Sequence, residues 1–302
     1  MEILNTLDTI YTDRPTALAI GKFDGVHAGH RRLLAHIIEA KADGLTPCVF
    51  TFEPSPERFF GGMDKKLIIS RDEKRDILKS LGVELLVEYP LNKESAAVDP
   101  SVFVTDILCR KLKAALIVAG ADLSFGKGGK GDFVLLNALS RDHGFETVEV
   151  DKLMYNNAAV SSSRIREMIA RGDMISTLRC LGSPYSFTAT VEHGAALGRT
   201  IGFPTINMTP DPDKILPPFG VYECGMMIDG TYHKGVCNIG VKPTVKNDDR
   251  VCLETYLIDF SQDVYGRKLC VELLRFVRPE QRFDSVEDLK AQMQRDLLSV
   301  RY

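Results

Sequence analysis

Leu18-Ala19-Ile20-Gly21-Lys22-Phe23-Asp24-Gly25-Val26-His27-Ala28-Gly29-His30 runs from an apolar segment through a glycine-punctuated turn into the start of a helix. Thr16 to Phe23 reads as a buried strand, and Leu33, Leu34, Ile37 and Ile38 then recur at helical spacing, so a helix is expected from His30. A strand turning directly into a helix is the opening unit of a parallel sheet, and it sets the turn at the carboxyl edge, where such sheets bind ligands. Gly21, Gly25 and Gly29 allow close backbone approach. At a helix start, free N–H groups and the helix dipole favour an anion near His30. His27 and His30 can both donate to one triphosphate, steadying oxygens that gain charge as the α-phosphorus is attacked. The plainer alternative is that both histidines are polar loop residues capping a helix.

Outward from this turn, β-rich and helical patterns alternate. Strands are expected at Pro47 to Phe52, Leu85 to Tyr89, Ala115 to Ala119 and Glu146 to Val150, with helices near Arg71 to Leu81, Ser101 to Leu112 and Phe133 to Arg141. This alternation implies a Rossmann-like α/β domain with helices on both faces of a parallel sheet. After Leu181 the texture changes to short strands: Phe187 to Val191, Val221 to Ile228, Gly235 to Ile239, Val251 to Phe260 and Lys268 to Val277. They fit a small antiparallel β-barrel, with Asp229-Gly230 as a hairpin turn. A terminal helix is expected to present Val286, Leu289, Met293 and Leu297 on one face, capped by Ser285 with Asp288. The expected domains are residues 1–182 and 183–302.

Composition narrows the class. A chain of 302 residues exceeds the roughly 100 to 150 that one core usually organises. A net charge of −3 with no basic block argues against a nucleic-acid partner. No apolar run approaches membrane-spanning length and the N-terminus lacks a signal-peptide pattern, so a cytoplasmic protein without a membrane partner is expected. The seven cysteines form no CxxC pair, which fits free thiols in a reducing compartment. Gly126, Gly128 and Gly131 satisfy GxGxxG but begin about six residues after their strand, too late for a dinucleotide turn; Lys127 and Lys130 make this a cationic loop.

The second half holds its own candidate site, Gly198 to Asn207, GRTIGFPTIN. Pro204 keeps Phe203 extended, so Thr205 and Asn207 project on one side and can together complete a Mg2+ shell around ATP phosphates. Glu254 interrupts an apolar strand, Val251 to Ile258, where a carboxylate must be ion-paired or face a pocket as a general base.

GKFDGVHAGH resembles the HxGH signature of nucleotidylyltransferases, and more closely the FMN adenylyltransferase half of bacterial bifunctional riboflavin kinase/FAD synthetases. Phe52-Glu53-Pro54-Ser55-Pro56 matches that family's second motif, and Gly120, Asp122, Phe125 and Gly126 its GxDFxFG stretch, with Leu123 at an aromatic position. Ser161, Ser162, Ser163, Arg164, Ile165 and Arg166 resemble its SSTxIR helix start, with Ser163 for threonine, and Lys22 stands where asparagine is common. The barrel half resembles riboflavin kinase through His193-Gly194, GFPTIN, Pro217, Gly220 to Tyr222, Asn238 to Gly240 with Pro243 and Thr244, Glu254, and Tyr265-Gly266, with Tyr256 at a usual histidine.

The resemblance implies two ATP-dependent reactions, riboflavin to FMN on the barrel and FMN to FAD in the α/β half. It implies that Gly21, Phe23, Asp24, Gly25, Gly29, Ser161, Ser162, Ser163 and Arg166 hold ATP in the first site, and Gly198, Gly202 and Pro204 in the second. Phe52, Pro54, Pro56, Asp122 and Phe125 would hold the flavin, Thr205 and Asn207 Mg2+, and Glu254 would deprotonate the riboflavin hydroxyl. Two other readings stay open: a nucleotidylyltransferase for another small phosphate ester, and a non-catalytic flavin or nucleotide sensor. The sequence leaves oligomeric state open.

Overall fold

The computed structural model describes residues 1–62, 65–194, 198, 201–242 and 250–300. Contacts divide the chain into two compact units, Met1–Ser162 and Ser163–Tyr302.

In the first unit, β1 (Glu2–Leu4), β2 (Thr16–Ile20), β3 (Thr46–Glu53), β4 (Leu85–Pro90), β5 (Ala114–Gly120) and β6 (Glu146–Val150) form one sheet in the order β1-β4-β3-β2-β5-β6. Every pairing in it is parallel, and β7 (Met154–Tyr155) and β8 (Ala158–Ala159) pair antiparallel as a separate ribbon after it. All five residues of β2 are buried, as a central strand covered on both faces requires. The chain runs from β2 outward to β3 and β4, then crosses back to β5 on the other side of β2. The order therefore reverses beside β2, and the carboxyl ends of β2, β3 and β5 open together at a topological switch point.

The two faces of β3 and β4 differ in character. Phe50, Phe52 and Tyr89 join Phe103 in an aromatic group with centroids 5.3–6.3 Å apart, in which Phe52 stacks on Phe103 and most other pairs meet edge to face, part of the main apolar core. The opposite face carries Thr51, Glu53 and Glu88, with Thr51 and Glu88 in register. Above them runs the helix Arg71–Ser80, started by a capping box between Ser70 and Glu73.

Two local expectations change. β2 stops at Ile20, and Phe23 and Val26 take left-handed φ values of 50° and 41° while fully buried, so the turn is tighter than a continued strand. The helix begins at Ala28, two residues before His30, with His27 as its N-cap.

The second unit opens with the helix Ser162–Ala170, which begins at the unit boundary, and Met174–Leu181. β9 (Tyr185–Glu192), β10 (Ile206–Met208), β11 (Gly220–Ile228), β12 (Thr231–Lys242), β13 (Arg250–Leu257) and β14 (Lys268–Pro279) form a closed antiparallel barrel in the order β10-β13-β12-β11-β14-β9. Strand alternation fills its interior with Tyr222, Cys224, Met226, Cys237, Ile239, Leu253 and Val271, all fully buried. Asp229 and Gly230 turn the β11–β12 hairpin with φ of 49° and 80°, both left-handed, as a type I′ turn requires.

The terminal helix Val286–Val300 lies on the outer face of this barrel. Leu297 and Val300 pack with Phe203, Val221 and Val236, and Met293 adjoins them. Asp288 N donates to Ser285 Oγ at 3.1 Å, the expected cap, whereas Val286 is left half exposed. Arg278 on β14 holds Asp296 of the helix through Nε at 3.0 Å and Nη2 at 2.8 Å.

Candidate active sites

The turn after β2 is built from its own backbone. Gly21 N donates to Phe50 O at 3.1 Å, Thr51 Oγ1 to Lys22 O at 3.1 Å, and Ile68 N to Asp24 Oδ1 at 3.0 Å, so β3 and the lead-in to the helix Arg71–Ser80 both brace it. His30 N donates to His27 Nδ1 at 3.2 Å, and the two rings stack 3.6 Å apart at 15°. Capping and the paired-imidazole arrangement therefore coexist. Because Nδ1 accepts, the proton of a neutral His27 sits on Nε2, which is left as a donor. Burial, partly offset by its backbone hydrogen bond, pulls the His27 pKa down to about 4. Burial likewise holds His30 well below its ordinary value, helped by His27, Lys74 and Lys22. Both rings are neutral donors at pH 7, and Nδ1 of His30 is buried without a hydrogen-bond partner.

Around this turn the structure sets out the other expected residues. Phe52, one residue before the end of β3, packs against Phe103 and Tyr89, and Pro54 and Pro56 follow, Pro56 opening the short helix Pro56–Gly61. Past β5, Asp122 is exposed and pairs with Lys152 at 3.2 Å, whereas Phe125 is buried with its ring 5.5 Å from Phe103. Phe125 and Gly131 exchange backbone bonds of 3.0 and 2.9 Å, so the loop carrying Lys127 and Lys130 is closed at its base. Ser162 Oγ donates to Asp24 O at 2.9 Å; Ser161 precedes it, and Ser163 and Arg166 lie further along that helix in the second unit. Phe23, fully buried, stacks at a tilt on His30, 4.9 Å between centroids.

On the barrel, register does what sequence distance hides. Asn207 on β10 stands opposite Glu254 on β13, and Glu254 stands opposite Asn238 on β12. Side chains opposite one another share a face, so an amide, a carboxylate and a second amide form one row on the outer side of the barrel. Thr205 lies two residues before Asn207 and so joins that face. Thr205, Asn238, Glu254 and Tyr256 line a cavity of about 230 Å³ between the barrel and the terminal helix, and Arg278, Glu280 and Asp296 line it too. Asn238 Nδ2 donates to Glu280 Oε1 at 3.4 Å. Asn207 Nδ2 donates to Thr205 O at 3.2 Å, and the Cys252 thiol reaches Asn207 Oδ1 at 3.8 Å. Gly198 O accepts from Phe203 N at 2.7 Å, and a β-carbon on Gly198 would stand 2.3 Å from Phe203 O, so only glycine fits that turn. Gly202 and Pro204 follow it on the exposed side; Pro243 and Thr244 lie outside the described residues.

A family model described as FAD synthetase matches residues 9–164, and one described as riboflavin kinase matches residues 181–302. A bifunctional riboflavin kinase/FMN adenylyltransferase of Listeria monocytogenes is 35% identical over 95% of this chain and 91% of its own. The chain belongs to the bifunctional riboflavin kinase/FMN adenylyltransferase family.

The Escherichia coli (strain K12) member of this family is 36% identical over 94% of the chain and 91% of its own length. A solved structure from Streptococcus pneumoniae, described as a macrolide-efflux protein, superposes with a TM-score of 0.87 at 29% identity, covering 98% of this chain and 97% of that one. Among the described residues no helix is long and apolar enough to cross a membrane, and no group of three or more His, Cys, Asp or Glu could hold a metal. Both halves of the family's name thus have a counterpart here, which favours neither a single-site nucleotidylyltransferase nor a sensor. The sequence gives Asn238 a place in the riboflavin kinase resemblance but no role, and it singles out neither Arg278 nor Glu280 nor Asp296 as site residues. The signal for Asn238 is its register with Glu254, which appears only when β12 and β13 are paired.

Proposed function

We propose that the barrel phosphorylates riboflavin to FMN and that the turn after β2 adenylylates FMN to FAD, with ATP consumed in each reaction and pyrophosphate released in the second. The observation that carries this reading is the register row Asn207-Glu254-Asn238, of which Glu254 and Asn238 line the cavity together with Thr205. A primary hydroxyl is a poor nucleophile until its proton leaves, and Glu254 is the carboxylate positioned to take it. Riboflavin enters the cavity, with Asn238 and Glu280 offering polar contacts and Tyr256 an aromatic wall. Thr205 and Asn207 present a hydroxyl and an amide oxygen, hard donors that fit Mg2+. When bound, Mg2+ supplies charge neutralisation on ATP phosphate oxygens. Gly198, Gly202 and Pro204 shape the turn that receives those phosphates.

The first site needs no base, because the attacking FMN phosphate is already an anion. His27 and His30, neutral and fixed by their stacking and cap, donate to the oxygens of the α-phosphate as they gain charge. Gly21, Phe23, Asp24, Gly25, Gly29, Ser161 and Ser162 form the surrounding cradle, and Phe52, Pro54, Pro56, Asp122 and Phe125 the flavin side. We assign residues 1–182 to adenylyl transfer and 183–302 to phosphorylation, a division close to the matched spans, and the protein to the cytoplasm.

The test is to supply riboflavin or FMN with ATP and Mg2+ and to separate the flavins. Glu254→Gln abolishes FMN formation and still converts supplied FMN to FAD; His30→Ala does the reverse. Loss of both activities in either variant, with the fold intact, contradicts this division.

A further inference from the structure

Among the described residues Lys74 is a buried cation that closes no ion pair. It lies on the inward face of the helix Arg71–Ser80, in line with Leu78, and is 9% exposed. Its neighbours on the helix are fully occupied: Arg71 and Arg75 both hold Glu88, with Arg75 Nε at 2.9 Å and Nη2 at 2.7 Å, and Arg75 also reaches Asp72. Among the described residues no hydrogen bond or ion pair joins the Lys74 ammonium to any of these carboxylates.

The surface beneath Lys74 is the polar face of the sheet, bearing Thr51, Glu53 and Glu88. The segment entering its helix is tied to the HxGH turn by Ile68 N on Asp24 Oδ1, and Thr51 ties the same turn to β3. Lys74 therefore hangs over the carboxyl end of β3, beside the turn. Its electrostatic neighbours are Asp24, Glu53 and Glu88, the cation Arg71, and His30. Glu88 is already satisfied by two guanidiniums. A lysine needed only to neutralise Asp24 and Glu53 has the reach and freedom to bond one of them, since its stem is long and its ammonium has three rotatable donors. An ammonium withdrawn from water and left without an acceptor is costly, so its position calls for a further anionic oxygen.

We propose that Lys74 is the fixed cation of the adenylyl-transfer site, binding a phosphate oxygen of the reacting anions beside His27 and His30. The inference rests on the reading of that turn as the adenylyl-transfer site. The oxygen belongs either to the ATP polyphosphate, and so to pyrophosphate, or to the phosphate of FMN; the chemistry is shared and the two sources separate experimentally.

The test uses the full chain with Lys74→Met, Lys74→Gln and Lys74→Arg. Calorimetry with pyrophosphate plus Mg2+, and separately with FMN, reads affinity; FAD formation and riboflavin phosphorylation are followed in parallel. Lys74→Met is expected to lower kcat/KM for FAD formation by about 100-fold and to weaken one of the two anions by about tenfold. Lys74→Arg restores most of that affinity, and riboflavin phosphorylation stays within about twofold because it is run by the other half. Weakened pyrophosphate with unchanged FMN assigns the oxygen to ATP, and the converse assigns it to FMN. If Lys74→Met is unstable, Lys74→Gln, which keeps a polar head without charge, carries the same expectation. Unchanged affinity for both anions in a folded variant overturns the proposal and leaves Lys74 as a neutraliser of Asp24 and Glu53. Wild-type protein that makes FMN but no FAD overturns the reading of the site itself.

Discussion

The backbone of Gly194 lies against the amide of Asn207 so closely that a β-carbon on Gly194 would stand 2.6 Å from Nδ2 and 2.7 Å from Oδ1. With Nδ2 also donating to Thr205 O, and the Cys252 thiol at Oδ1, the amide is held in one orientation. Gly194 follows β9, and Asn207 pairs with Glu192 of that strand, so the contact is set by barrel closure.

Gly194→Ala should therefore move Asn207 off its row with Glu254 without touching any reacting group. A misplacement approaching 1 Å costs on the order of 100-fold in rate. Riboflavin phosphorylation is expected to fall by about 10- to 100-fold, with a raised requirement for Mg2+, while FAD formation from supplied FMN is unchanged. Steady-state kinetics at varied Mg2+ and binding of Mg2+ with ADP by calorimetry check it. Unaltered kinetics and affinity would show that the amide has room to move.

Arg278 and Asp296 tie the terminal helix to β14 beneath the cavity, with side chains 17% and 4% exposed. Removing one partner of such a pair leaves a charge stranded, a loss of about 3 kcal/mol or more. Asp296→Ala is expected to lower the unfolding free energy by about 3 kcal/mol. Arg278→Met with Asp296→Leu, which keeps the volume apolar, should recover most of it. Because both residues line the cavity, Asp296→Ala should also raise KM for riboflavin more than it lowers kcat. Denaturant unfolding of the single and double variants, with kinetics, decides between a latch and a pair that contributes little.

The parts of this protein legible in the sequence are those written in consecutive residues. The β2 turn, the Asp229-Gly230 hairpin and the GFPTIN segment each carry their signal within a few positions, because glycine, proline and apolar periodicity act locally. Capping by His27 is one of two readings that the sequence leaves open, since histidine is outside the usual capping set, and the Nδ1 contact with His30 N shows that it caps the helix while its ring stays paired with His30. β1 spans three residues and shows no periodicity. The row Asn207-Glu254-Asn238 joins positions far apart in the chain, and one residue of register slip would send Glu254 to the barrel interior. Lys74 sits in the run Arg71-Asp72-Glu73-Lys74-Arg75, which reads as a solvated helix face; it is buried because β3 and β4 turn Glu53 and Glu88 toward that helix, a fact of sheet geometry.

The stacked histidines give the first unit a measurable response to acid. Burial lowers the His27 pKa from 6.5 to about 4, and it moves His30 in the same direction. The unfolded chain thus binds a proton that the folded one refuses between pH 6.5 and about 4. Stability from this source is complete above pH 6.5 and falls as the pH drops through that window, by about 3 kcal/mol in all for His27. His27→Asn keeps an oxygen able to cap His30 N while removing the titrating ring, so its stability should depend less on pH across the same window. In protein labelled at the histidine ring carbons, the NMR signals of His27 and His30 are expected to hold their neutral positions from pH 8 down to about 5. A midpoint for either ring near its ordinary value would mean that water reaches the stack, and the neutral-donor account of the adenylyl-transfer site would fall with it.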